Sequence, residues 1–149
     1  MSILSSAKAL LEADATLLAA ATGGVFDYDE TGRMGINRTA NAAAFDSALV
    51  IKPCVLLKLR SSTPDYILAD DSSQYVSLRE MLEVWFYQAN GFTTIETMRN
   101  RVYVLLHTKH FGGAFQCLWA GDVRFPVRDT DLDSFVERSD FTVRAKRSV

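Results

Sequence analysis

Three groups of residues have the types and spacing that chemistry asks for. Asp129, Asp131 and Asp133 form D-x-D-x-D, the opening of an EF-hand calcium loop. That loop needs glycine at its sixth position for the sharp turn, and a bidentate glutamate at its twelfth. Ser134 and Asp140 stand there instead, so the segment reads as a solvated acidic connection. His107 and His110 have H-x-x-H spacing, but no third ligand stands at a telling distance. Cations near a helix C-terminus are favoured by the helix dipole without any metal. Asp27, Asp29 and Glu30, with Asp70 and Asp71, are carboxylates that could act in pairs as general acid and base. They fall in polar loops, where acidic residues are common without a catalytic purpose. With two histidines, no Ser-His-Asp or Cys-His pairing can be specified. Gly23-Gly24 and Gly112-Gly113 do not spell a phosphate loop. Cys54 and Cys117 sit in apolar contexts and read as buried free thiols. The sequence thus predicts no cofactor and no metal, and does not read as an enzyme.

Bulk properties narrow the classes further. A chain of 149 residues is expected to form one domain, residues 1–149. A formal charge of −2 gives no general pull toward nucleic acid or anionic lipid. No apolar run approaches the ~20 residues of a membrane span, so no membrane partner is expected. Lys8, Glu12 and Asp14 interrupt the stretch that a secretion signal would need.

The positioning elements follow from periodicity. Leu4, Ala7, Leu10, Leu11, Leu17 and Leu18 recur at helical spacing from Ser2 to Ala21, with Asp14 a point of interruption. Gly23-Gly24 closes that stretch, and Val25-Phe26 begins a short strand. Asp27 to Asp46 has no sustained period. A structureless connection of that length is unusual in a compact domain, and it is expected to be mobile until a partner orders it. Ala48 to Arg60 reads as a strand, edge or bulged at Pro53, which cannot donate a ladder bond. Across the polar loop Ser61 to Gln74, a second strand carries Val76, Leu78, Leu82, Val84 and Phe86 on one parity. The two should form an antiparallel hairpin with a long tip. After Ala89-Asn90-Gly91, Ile95, Met98, Val102 and Leu105 mark a helix. Its start is a T-x-x-E capping box, Thr93 to Glu96, and its end Gly112-Gly113. Ala114 to Val123 and Phe135 to Ala145 complete the strands. The expected fold is α+β: an antiparallel or mixed sheet with helices on one face and long hairpin loops.

The other parity of the second strand holds Tyr75, Ser77, Arg79, Met81, Glu83, Trp85 and Tyr87. It is too aromatic for plain solvent and too charged for a core. Arg and aromatic residues are enriched where proteins meet, so Arg79, Met81, Trp85 and Tyr87 are candidates for a subunit interface. Lys52, Lys58 and Arg60 are expected to gather nearby. That would suit a nucleic-acid face, but Glu83 shares it and the chain is net acidic.

The order of helix, G-G-V-F turn, polar loop, strand pair, helix and strand pair resembles the tail terminator (tail completion) proteins of long-tailed bacteriophages. The likeness runs over nearly the whole chain, through Leu10 to Tyr28, Ile51 to Leu59, Met81 to Tyr87, Ile95 to Leu106 and Ser139 to Lys146. It implies a virion protein, assembled in the bacterial cytoplasm, that forms a ring, commonly six-fold, at the head-proximal end of the tail tube. The ring stops tube growth and docks to the head connector, and genomic DNA passes through it without sequence reading. Partners would be further copies of the chain, the tail tube protein and the connector or stopper protein. Loop residues Tyr28, Asp29, Glu30, Arg33, Asn37, Arg38, Asp65, Tyr66, Asp70 and Asp71 are then candidates for axial contacts. The alternatives are a head-side connector or adaptor ring, a small hydrolase using the loop carboxylates, and a nucleic-acid-binding module.

Overall fold

The computed structural model describes residues 2–28, 35–64 and 75–148, with residues 75, 76, 147 and 148 by their backbone alone. Five strands form one sheet in the order β1-β2-β3-β5-β4. They are β1 (Gly24–Asp27), β2 (Cys54–Pro64), β3 (Tyr75–Gln88), β4 (Ala114–Arg124) and β5 (Phe135–Ser148). The β1–β2 pair is parallel and the other three are antiparallel. Three helices, α1 (Ile3–Glu12), α2 (Ala15–Ala20) and α3 (Thr93–Leu106), bury their apolar stripes against one face. The fold is α+β with a mixed sheet, as the periodicities predict.

The core on the helical side joins Leu4, Ala7, Leu11, Leu17, Ile95, Met98, Val102 and Leu106 to the strands. Leu82, Val84 and Phe86, the parity picked out in β3, lie in this core and are fully buried. Asp14 divides the N-terminal helical stretch by capping α2: its carboxylate accepts the Leu17 N–H at 2.7 Å. The same carboxylate takes two hydrogen bonds from Arg101 of α3, at 2.9 and 2.5 Å. One acidic residue therefore breaks the helix and ties the two pieces to their neighbour.

Four expectations are corrected. The strand expected from Ala48 begins only at Cys54. Asp46 accepts the N–H groups of Ala48 and Val50, and Leu49 takes φ 61°, so the chain turns there before Pro53. Pro53 precedes the ladder, and its carbonyl accepts the Gly23 N–H. The second half of the 27–46 segment is not free: Ile36, Ala44 and Phe45 pack with Ile51, Cys54, Leu56 and Tyr87 in a second core across the sheet. The capping box is not formed either. Phe92 is the N-cap, without a side-chain bond, and the Gln88 side chain accepts the N–H groups of Thr94 and Ile95. Finally, α3 stops at Leu106, not at the glycine pair, with His107 as C-cap and Thr108 at φ 63°.

Candidate assembly surface

The sheet face away from the helices carries the candidate site. Alternation along β3 puts Glu83, Trp85 and Tyr87 there, and the register sets Lys58 opposite Glu83, Leu56 opposite Trp85 and Arg138 on the other side of Trp85. Trp85 is half-buried and central. Its indole stacks on Phe125 with centroids 5.3 Å apart. Lys58 lies 4.7 Å from the ring centroid and Arg138 5.5 Å. The indole N–H donates to Glu83 at 3.0 Å.

Glu83 is buried and holds the cations in place, pairing with Arg60 at 3.2 Å and Arg138 at 3.8 Å. Asp140 fixes Arg138 from the far side at 2.8 Å. Burial holds the Lys58 pKa below its ordinary value, with nearby Glu83 working in the opposite direction. Cations and carboxylates are thus matched in an aromatic setting. The chemistry of the arrangement suits recognition: it presents flat rings and forked guanidinium groups side by side.

The four predicted interface residues fall in different settings. Arg79 is exposed, Met81 and Trp85 are half-buried, and Tyr87 is buried in the second core. Beside them opens a cleft of ≈ 590 Å³ between the 35–38 segment, Lys58, Trp85 and the 129–132 turn. Among the loop candidates, Arg38 binds the Asp131 carbonyl at 2.8 Å and the Leu49 carbonyl at 3.3 Å, and lies over Phe45. Asn37 accepts the Ala40 N–H at 2.6 Å. The Tyr28 ring lies 5.8 Å from the Lys58 ammonium. Asp29, Glu30, Arg33, Asp65, Tyr66, Asp70 and Asp71 lie outside the described residues. The carboxylate pairs weighed for hydrolysis are therefore represented by Asp27 alone.

Sequence reasoning missed Phe125, Arg138 and Asp140 as members of this face. A lone aromatic in a polar connection was the visible signal for Phe125. The roles of Arg138 and Asp140 depend on the β3–β5 register, which no local pattern states. It also missed apolar groups displayed at the margins: Leu49 is 59% exposed and Val127 74%. On the helical side, Tyr103 stacks on His107 and meets Trp119 edge-on beside the outer strand β4.

Two carboxylates of the D-x-D-x-D segment are engaged locally. Asp129 accepts the N–H groups of Asp131 and Leu132, closing its own turn, and Asp133 pairs with Arg128 at 2.9 Å. Among the described residues, no three His, Cys, Asp or Glu side chains are grouped to hold a metal ion. Glu137, almost fully buried, is held by Arg99 and Arg124 and braces α3 against the sheet.

No protein-family model matches the chain. No curated protein matches it either. Among solved structures, a chain from the virion of a native gene transfer agent (GTA) particle is similar with a TM-score of 0.64 and 14% identity. The match covers 98% of this chain and 96% of the other. At that identity the likeness concerns the fold, which the two chains share from end to end.

Proposed function

We propose that this chain is a structural virion protein, and that it forms a ring at the head-proximal end of a phage-type tail tube. There it stops tube growth and presents the docking surface for the head connector. The observation that carries the virion role is the end-to-end fold likeness to a chain of a gene transfer agent virion. The finer assignment to the tail end rests on the order of elements and on the face around Trp85. A closed ring needs two unlike surfaces on each subunit, because one patch must meet a different patch on its neighbour. The cation–aromatic face is assigned to one of them. Arg79, Met81 and Trp85 are the contact residues, with Tyr87 buttressing Trp85 from the second core. The loop residues named above are assigned to axial contacts with the tube and the connector. Six copies would make the ring, and DNA would pass through without base contacts.

Light scattering on size-fractionated protein, followed by negative-stain imaging, tests this. The expected outcome is a closed ring, formed alone or on addition of tail tubes, with tube ends capped and growth arrested. Trp85→Ala is expected to weaken ring formation more than folding. A strict monomer that never joins tubes would sink the proposal. Rings that bind a purified connector but not tubes would move the protein to the head side of the junction.

A further inference from the structure

β4 is the last strand on its side of the sheet, a position that normally leaves a row of backbone groups unpaired. Part of that row is occupied. The connection leaving α3 folds along it: the Thr108 N–H donates to the Cys117 carbonyl at 2.7 Å, and the Trp119 N–H donates to His107 Nδ1 at 3.0 Å. An imidazole thus stands where the carbonyl of a neighbouring strand would accept. Only a neutral ring, with its proton on Nε2, can accept at Nδ1. Stacking on Tyr103, with centroids 4.7 Å apart, holds the ring in place. The segment is also strained, because Thr108 has φ 63° and a β-branched residue rarely adopts that backbone.

We infer that His107 and Thr108 form a proton-sensitive latch on the outer edge of β4, closed by the neutral imidazole and released when the ring is protonated. Protonation turns Nδ1 into a donor facing the Trp119 N–H, so two donors meet and the bond is lost. Relief of the strain at Thr108 then favours departure of the whole segment. Histidine is the side chain that ordinarily changes charge between about pH 5 and 8. Charged and titratable groups stand near it on α3, on β4 and along its own segment. Tyr103 faces it from α3. Arg99 and Asp122 line the groove beyond Trp119 and lie 3.7 Å apart, and Asp122 accepts the Trp119 indole N–H. Lys109 and His110 follow it along the chain, both exposed. The inference goes beyond the assembly proposal and does not depend on it.

Amide exchange by NMR on the full chain tests the latch, with each rate corrected for the intrinsic effect of pH. Protection of the Trp119 and Thr108 amides is expected at pH 8. It should fall as the pH is lowered, by at most about tenfold per pH unit, which is the limit for the uptake of one proton. His107→Asn, whose side-chain oxygen reproduces the acceptor without titrating, should keep Trp119 protected at pH 5 and 8. His107→Ala should leave it unprotected at both. Wild-type protection that ignores pH overturns the inference, as does His107→Asn that keeps the wild-type pH dependence. Imidazole ¹⁵N shifts of the unmutated protein give a test that needs no variant to fold: a proton on Nδ1 at neutral pH also overturns it.

Discussion

Burial pushes the thiols of Cys54 and Cys117 up to about 12, so neither is a thiolate near neutral pH. Neither should react with a thiol reagent such as dithionitrobenzoate at pH 8 while the chain is folded, and both should react once urea unfolds it. Fast labelling of the folded protein would contradict the burial. Asp14 is displaced the opposite way. The hydrogen bonds from Arg101, with that of the Leu17 N–H, lower it from 3.8 to about 2. A carboxylate depressed in the folded state adds stability that is present above its unfolded value and lost as pH falls through its folded one. The stability difference between wild type and Arg101→Gln should therefore be full above about pH 4 and vanish towards pH 2. Carboxyl NMR should show Asp14 titrating higher in the variant, and an unchanged titration would remove Arg101 as the cause. Asp14 was legible in the sequence because it interrupts an apolar period. Its partner was not, since Arg101 is far along the chain.

At the scale of elements, the start of α3 separates pattern from geometry. Thr93 and Glu96 have the spacing of a capping box, yet Gln88 at the end of β3 supplies the acceptor for two helix N–H groups. Gln88→Ala is expected to lower unfolding free energy by about 1 kcal/mol, and Thr93→Ala by only a few tenths, measured in urea. The reverse order would restore the capping box. Glu96 has another task, pairing with Arg124 at 2.8 Å. The sequence pointed to a helix here and missed what caps it, because a residue at the end of β3 reaches across the turn. The same reason explains β2. Leu49 and Ile51 continue the parity of Val55 and Leu57, but the Asp46 turn and the backbone at Leu49 bend the chain away first. Periodicity found the strands and helices. Turn chemistry moved their ends.

For the whole molecule, the layer order was legible because β3 alternates so cleanly. Phe86 and Tyr87 are both buried, each in a different core, and only a sheet covered on both faces explains that. The second cover was not legible, because it comes from the 35–51 and 125–136 segments, which lack a period. The face around Trp85 was legible in composition, whereas its pairing of Glu83 with Arg60 and Arg138 awaited the register. That strand order also bears on how the chain comes to fold. β5 is the last of these elements to leave the ribosome, yet it lies between β3 and β4. Until Phe135–Ser148 has emerged, β3 and β4 each present a bare edge, and Leu82 and Val84 lack their neighbours Phe141 and Ser139. A chain halted before Phe135 therefore exposes adhesive strands, and β5 seals their facing edges once it has emerged.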